Sequence, residues 1–442
     1  MGLFKFMQPS APQKAVEFDV SFDLTTTYTP RKSQSSRTPR VPESNIPIEV
    51  VLHILEAAYY DDDHKPNTVL LGECSRVCKG WSTHAQKLLF RQICLSSQSA
   101  YSAFLSAVDR TTERGRILGD SVLRMRAVLD HNKPNGLSQL SFAYAVTLCP
   151  NLYEMDLSLY GCAAPGNDVV GSPALERMRR PAPSFDDACL QLLRVGPSIS
   201  ALQFSNWSEN EESVIQLLEI WPSITSLAIT GTSPVLSPAA TYPPFPCALK
   251  ELRINCQREP SPDFLEWLLH ASAEMGSLRV LDFEREPSPE TLDFLVEKHS
   301  ETLHSLALPS CSSHEHAAAV TRCRELRELR TESAWSSPIV YRRIPDTIQH
   351  LSFGLDLDTP LQSLLDVVKD RDDLEALTVH LWGNGARHPH LPALQMACAY
   401  RGVDLRMTTD IRVLRTMVRG DPILPTSFPR TKTLENLQLM RS

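Results

Sequence analysis

Cysteine and histidine side chains are the first candidates for chemistry in this sequence. Cys311, His314, His316 and Cys323 lie close enough along the chain to ligate a zinc ion in principle. They form a single cluster, however, which crosses from a predicted loop into a predicted helix. Ordinary packing in the core or at the surface is the alternative interpretation of these four residues.

Known catalytic patterns are absent from the sequence. It contains no H-E-x-x-H, no G-x-S-x-G and no C-x-x-C. With 17 Gly against 33 Pro, it also has neither a dinucleotide-binding glycine motif nor a P-loop. We therefore expect a protein that is not an enzyme and holds no cofactor and no metal. The four-residue Cys/His group is the one lead for an unrecognised enzyme.

Composition excludes several classes of partner. The chain has 442 residues, 42% of them hydrophobic, and a net charge of −8, so no basic footprint for nucleic acid is present. No run of 18 apolar residues predicts a membrane span. The 11 cysteines are scattered and the N-terminus has no apolar signal segment, which favours reduced thiols. We expect a cytoplasmic or nuclear protein, or one found in both compartments.

Two regions at the start of the chain differ in pattern. Residues 1–44 are rich in Ser, Thr, Pro and basic residues without periodicity, which predicts a disordered tail. Residues 45–93 instead show helical spacing of apolar residues, and Asn45 and Pro47 suit a helix start. A second apolar face is expected to run from Leu70 to Trp81. Such a short helical unit is expected to dock on another surface.

The 45–93 region resembles the F-box, in the variant common in fungal proteins. The resemblance is carried by Ile46-Pro47-Ile48-Glu49-Val50-Val51, Ile54-Leu55, Leu70-Leu71, Arg76-Val77-Cys78-Lys79-Gly80-Trp81 and Leu89-Phe90-Arg91. It implies docking to a Skp-type adaptor and, through it, to the cullin of a ubiquitin ligase. The positions that match the adaptor-facing motif are Pro47, Val50, Ile54, Val77, Cys78 and Trp81. Packing of some of these side chains inside the F-box is the alternative.

A repeating pattern fills residues 94–410. The pattern L-x-x-L-x-L recurs, from Ile199 onward at spacings of 22 to 29 residues, and therefore resembles leucine-rich repeats. Its copies begin at Leu152, Ile199, Ile224, Leu249, Leu278, Leu303, Leu326, Ile348 and Leu374. Further strand-like pieces are Ile93/Leu95, Leu123/Met125 and Leu405/Met407, while Ala163–Pro183 is interpreted as an insertion. Most copies lack the Asn or Cys that the family has three positions after the last strand leucine, for which only Cys311 fits, so we expect an irregular solenoid punctuated by prolines. A helical array whose short L-x-L segments are helix–loop junctions is the alternative.

Helix starts are predicted between the strands. Ser261-Pro262, Ser288-Pro289 and Thr359-Pro360 each combine a capping hydroxyl with a proline at the first helical position. The predicted fold class is α+β to α/β, with a three-helix F-box followed by a curved leucine-rich-repeat-like solenoid. Its parallel strands lie inside and its helices outside, and residues 411–442 form a C-terminal cap or tail.

Alternation along the strands predicts a target-binding surface. Side chains next to the core leucines point to the opposite face of a strand, so we expect them on the concave surface of the solenoid. The candidates are Glu251, Arg253, Asp282, Glu284, Glu328, Arg330, His350 and His380. A net charge of −10 on residues 46–442, from 38 basic and 48 acidic side chains, slightly favours a basic target segment.

These patterns together predict the substrate receptor of a Skp–cullin–F-box ubiquitin ligase. In this hypothesis the F-box binds the adaptor, the repeats bind an unknown protein target, and the chain itself catalyses nothing. The alternative is an interaction scaffold that uses the repeat surface without any part in ubiquitination.

Overall fold

A computed structural model of the chain describes residues 47–59, 67–161, 182–208, 210–236, 242–311, 313–334, 338–411 and 414–415. The predicted tail 1–44, the predicted cap at Asn45, most of the predicted insertion Ala163–Pro183 and most of the predicted C-terminal cap or tail 411–442 lie outside these residues. Every helix and strand given below belongs to one compact unit that begins at Ile48.

Three helices come first and have a small core of their own. They are α1 (Ile48–Ala57), α2 (Thr68–Val77) and α3 (Lys79–Phe90). The Asn67 side chain caps α2 by accepting a hydrogen bond from the backbone N–H of Leu70 at 3.1 Å. The core is built from Val51, Leu55, Tyr59, Leu71, Cys74, Ala85 and Leu88.

The second helix ends earlier than the sequence predicts. A single apolar face from Leu70 to Trp81 is wrong, because Cys78 has extended dihedral angles of φ −159° and ψ 169° and separates α2 from α3. Trp81 therefore lies in the first turn of α3, where it packs half-buried against the three-helix core.

The repeats form one parallel sheet. Within the described ranges it has 12 strands, and each strand pairs with the next one along the chain. The strands are β1 Gln92–Leu95, β2 Arg124–Asp130, β3 Glu154–Tyr160, β4 Ala201–Trp207, β5 Ser226–Gly231, β6 Glu251–Cys256, β7 Val280–Phe283, β8 Ser305–Leu308, β9 Glu328–Thr331, β10 His350–Leu355, β11 Ala376–Leu381 and β12 Asp404–Thr408.

The predicted strands are thereby confirmed. Each L-x-x-L-x-L copy places its first apolar residue just before a strand and the next two within it, as Leu249, Leu252 and Ile254 do at β6. The strand-like pieces at both ends are β1, β2 and β12. A parallel sheet with crossover helices is α/β class, and the purely helical alternative is wrong. β1 begins at Gln92, inside the segment 45–93 that the sequence assigns to the F-box.

Helices cross between the strands and cover one face of the sheet. They are α4 Gln98–Ala107, α5 Glu113–Ser121, α6 Gln139–Thr147, α7 Asp187–Val195, α8 Ser213–Ile220, α9 Pro262–Met275, α10 Pro289–His299, α11 His314–Arg322, α12 Pro338–Arg343, α13 Gln362–Asp370 and α14 Leu391–Arg401. Their apolar stripes and the strand leucines share one large core. None of the helices in the described ranges is long and apolar enough to span a membrane.

Two of the three predicted helix starts are confirmed. Ser261 and Ser288 are N-caps whose hydroxyls accept hydrogen bonds from Phe264 N and Thr291 N, both at 3.2 Å, with proline in the first turn of the helix. The prediction for Thr359-Pro360 is wrong, because α13 begins only at Gln362. The Thr359 hydroxyl donates instead to the carbonyl of Ala334 at 3.1 Å and so links two repeats.

Candidate functional sites

Helix α1 presents apolar side chains to solvent. Val50 and Ile54 are each 46% exposed and lie four residues apart, so they share one face of the helix. Val51 and Leu55, one position further on, are buried in the three-helix core. α1 therefore has one apolar side packed in the core and another, carrying Val50 and Ile54, that is partly exposed among the described residues.

Helix α2 also has exposed apolar side chains. Val69, Leu70 and Val77 are exposed, and positions seven and eight residues apart fall on one side of a helix. We call Val50, Ile54, Val69, Leu70 and Val77 the helical apolar face.

Most of the residues matched to the adaptor-facing motif are accessible. Pro47, Val50, Ile54, Val77 and Cys78 are exposed, whereas Trp81 is half-buried. The adaptor set did not include Val69 and Leu70. Their helical spacing from Val77 is the feature of the sequence that could have indicated them.

The second candidate site lies on the sheet. Alternate strand residues face away from the helices, and we call the surface that they form the polar face. At its start, on β1 to β5, this face is open, with exposed residues Gln92, Cys94, Arg126, Gln203 and Trp207. On β8 to β11, in contrast, nearly every strand residue is buried on both sides of the sheet.

The predicted target-binding residues lie on the polar face, but the exposure expected for most of them is wrong. Five are less than a tenth exposed, namely Glu251, Glu328, Arg330, His350 and His380. The remaining three, Arg253, Asp282 and Glu284, are partly exposed. The physical reason is that strands about 4.8 Å apart bring long side chains of opposite charge into mutual contact.

Arg330 shows how this pairing works. In the register of β7, β8 and β9, Asp282, Ala307 and Arg330 stand side by side. Because alanine is small, the Arg330 guanidinium reaches across β8 and donates a hydrogen bond to the Asp282 carboxylate. Its Nε atom lies 3.6 Å from Glu332 Oε1. Only 1% of the Arg330 side chain is exposed.

A similar pairing extends to β5, β6 and the loop after β7. The Ser226 hydroxyl donates to Glu251 at 2.7 Å, and Glu251 is also ion-paired with Arg253. Burial alone would lower the pKa of Arg253, but the nearby carboxylates of Glu251 and Asp282 raise it. The carboxylate of Glu284, after β7, accepts a hydrogen bond from the Asn255 side chain at 2.7 Å. The charges of the polar face are therefore largely satisfied within the chain.

Arg415 joins this network from a distant part of the chain. It lies shortly after β12, and its Nε and Nη2 atoms donate to the two oxygens of Glu332, both at 2.8 Å. Its Nη1 atom donates to Glu284 Oε2, also at 2.8 Å. The hydrogen bonds from Arg415 to Glu332 raise the pKa of Arg415 despite its partial burial. Sequence reasoning missed Arg415, because nothing local marks its partners.

The two predicted histidines of the polar face are tied to neighbouring strands. His350 is fully buried, and its Nε2 atom shares a 2.8 Å hydrogen bond with the Thr378 hydroxyl. Burial, aided by the charge of Arg406, lowers the pKa of His350 to about 3, so its ring is neutral at physiological pH. His380 Nε2 lies 3.4 Å from the Thr409 carbonyl oxygen.

The candidate zinc group does not come together in one place. His314 is exposed on the surface of α11, whereas His316 is buried and contacts the preceding repeat through the Pro287 carbonyl at 3.0 Å. Cys323 donates its thiol hydrogen to the Ala319 carbonyl. Among the residues that the structure describes, no group of three or more His, Cys, Asp or Glu side chains is placed to hold a metal ion.

Most thiols of the described chain are buried. Burial raises the pKa of Cys149, Cys189, Cys256, Cys311 and Cys323 to about 12 in each case, which keeps these groups protonated and poor nucleophiles. What the structure offers instead is two surfaces suited to binding, the helical apolar face and the polar face of the sheet.

Comparison with known proteins adds no assignment. No family model matches the chain. A search of curated proteins finds none with significant similarity.

Proposed function

We propose that this chain is the substrate receptor of a Skp–cullin–F-box ubiquitin ligase. In this proposal α1 to α3 dock on a Skp-type adaptor, and the polar face of the sheet binds the target protein. The observation that carries the proposal is the helical apolar face. It belongs to the helices whose sequence resembles the F-box, and it points away from the core of those helices.

Exposed apolar side chains are informative when they cluster. Single exposed apolar residues are ordinary, but several of them on one side of a short helix favour a binding surface. Val69 and Val77 are 72% and 65% exposed on a helix of 10 residues, while Leu71 and Cys74 of the same helix are buried. A partner helix packing here would remove this surface from water, which is the main favourable term in protein association.

The presence of two separate cores supports the assignment of adaptor binding to α1–α3 and of target binding to the repeats. The core of α1 to α3 is separate from the large core of the repeats, and Phe90 and Ile93 pack against the repeat core where the two regions meet. A receptor of this kind acts by proximity, because it raises the effective concentration of a target lysine near the ubiquitin-charged enzyme.

Co-expression with a fungal Skp-type adaptor tests the proposal. The full chain is compared with the double variant Val50→Asp/Ile54→Asp, because charges at two exposed positions oppose docking without disturbing the core. Tyr400→Asp is the matched control, since Tyr400 is 91% exposed on α14, far along the chain from the helical apolar face. Complexes are detected by size exclusion, and affinities are measured by calorimetry.

We expect the wild type and the control to bind the adaptor, and the double variant to bind at least about 30-fold more weakly, about 2 kcal/mol, as for the loss of an interface hot spot. Equal affinity of a folded double variant would refute the assignment of the helical apolar face. An adaptor complex that recruits no cullin would instead favour the interaction scaffold.

A further inference from the structure

The Arg415 side chain occupies a place on the polar face that is shaped for a guanidinium group. Its planar fork bonds both oxygens of Glu332, and its third nitrogen bonds Glu284, with all three distances at 2.8 Å. A lysine ammonium is a point charge and cannot make the parallel pair of bonds to one carboxylate. The two carboxylates therefore select arginine by geometry as well as by charge.

The occupied place is open on one side. The Arg415 side chain is 32% exposed and that of Glu284 is 35% exposed, whereas Glu332 is only 8% exposed. Glu332 thus forms the floor of a shallow site that solvent reaches at the Glu284 end. Leu414, directly before Arg415, is fully buried. An exchange at this site therefore needs only the Arg415 side chain to swing away while the backbone stays in place.

Arg330 is an alternative cation partner for Glu332. Its Nε atom is buried and has no hydrogen-bond acceptor among the described residues, although Glu332 Oε1 is 3.6 Å away. With Glu332 oriented towards Arg415, its Oε1 atom stays beyond hydrogen-bond distance of this donor. If Arg415 leaves, Glu332 can turn to Arg330, so the buried carboxylate is never without a cation. This avoids the large cost of an uncompensated buried charge.

From this geometry we propose that Glu284 and Glu332, supported by Asp282 and Arg330, form an arginine-recognition site that Arg415 fills in the free protein. A target presents an arginine side chain that replaces Arg415 between the two carboxylates. The inference rests on the proposed function, since it assigns the chemistry by which the polar face recognises its target. The acidic balance of the chain fits a basic target segment.

The test compares binding of short peptides to the full-length chain and its variants. The probe is a fluorescein-labelled heptapeptide of Gly, Ser and Ala with one central arginine, alongside twins that carry lysine or citrulline. The proteins are wild type, Arg415→Ala, Arg415→Gln and the double variant Arg415→Ala/Glu332→Gln. Arg401→Ala is the control, because it removes an exposed arginine that pairs with Asp372 on the surface. Binding is followed by fluorescence anisotropy.

In a second measurement, the melting temperature of each protein is determined with ethylguanidinium chloride or ethylammonium chloride, both at about 10 mM. A compound that binds the folded state raises the melting temperature by mass action. We expect Arg415→Ala to bind the arginine peptide at least about tenfold more tightly than the wild type binds it. The same variant should bind the arginine peptide at least about tenfold more tightly than it binds the lysine peptide. Ethylguanidinium should raise the melting temperature of this variant but not that of the wild type or of the Arg401→Ala control. The additional change Glu332→Gln should abolish both effects. Arg415→Gln serves if the alanine variant does not fold.

Equal binding by wild type and Arg415→Ala, equal binding of the arginine and lysine peptides, or the lack of any response to either probe would overturn the inference. Adaptor binding is measured on the same variants. If neither the wild type nor any variant, including the control, binds the adaptor, that result counts against the proposed function. The peptide result is then judged separately.

Discussion

His299 makes stability depend on pH in a way that follows from its surroundings. It is the last residue of α10, its side chain is 1% exposed, and neither ring nitrogen has a hydrogen-bond partner in the described structure. Burial, with a smaller effect from Lys298, lowers the pKa of His299 to about 4. The helix C-terminus favours a cationic ring by only about 0.3–1 kcal/mol, so burial decides.

The direction of the effect follows from linkage. The unfolded chain binds a proton at this ring below about pH 6.5, whereas the native chain does not until about pH 4. The contribution of His299 is therefore complete above pH 6.5 and is lost as the pH falls towards 4. At about 1.36 kcal/mol per pH unit, lowering the pH from about 7.5 to about 5 removes about 2 kcal/mol of the free energy of unfolding.

Urea unfolding of wild type and His299→Leu at the two pH values measures this contribution. Leucine has a similar size and cannot be protonated, so we expect the pH-dependent loss to be about 2 kcal/mol smaller in the variant. His350, which has a similarly low pKa, contributes equally to both proteins and cancels in the comparison. His270→Leu is the control, because His270 is 45% exposed on α9. If wild type and His299→Leu lose equal stability, the reasoning about this buried ring is refuted.

Two further predictions concern the polar face and the helix caps. Arg330→Met should lower the free energy of unfolding by about 3–5 kcal/mol, because Asp282 loses the buried cation that is hydrogen-bonded to it, while Glu332 keeps Arg415. Arg322→Met, at the exposed pair with Asp293, should cost less than about 1 kcal/mol. Similar losses for both variants in urea unfolding would contradict this. Ser261→Ala should cost about 1 kcal/mol through loss of the cap of α9, and an unchanged melting temperature would show that the cap is dispensable.

Sequence reasoning succeeded where the signal is local. The strands were predictable because each one repeats the same apolar alternation over a few consecutive residues. The Ser-Pro starts at Ser261 and Ser288 were predictable because a hydroxyl and a proline act within a single turn. Thr359-Pro360 also combines a hydroxyl with a proline, but no helix starts there, because the Thr359 hydroxyl bonds Ala334 of the preceding repeat instead.

The polar face was less predictable because its contacts join distant residues. Alternation correctly placed Glu328, Arg330 and His350 opposite the core, but their burial depends on neighbours in other strands. Arg330 reaches Asp282 only because Ala307 lies between them in the sheet register. Neither the small residue nor the register can be inferred from the segment around Arg330 alone. The same limit explains why Arg415 was missed.

The long separation between Arg415 and Glu284 also has a consequence for biosynthesis. The two residues are 131 positions apart, while each strand pairs only with its neighbours in the chain. At a translation rate of about 5–20 residues per second, a ribosome makes Glu284 roughly 7–26 s before Arg415. Glu332 lies 83 positions before Arg415, so both carboxylates are made before the arginine that joins them and stay without this partner until the chain beyond β12 has been made.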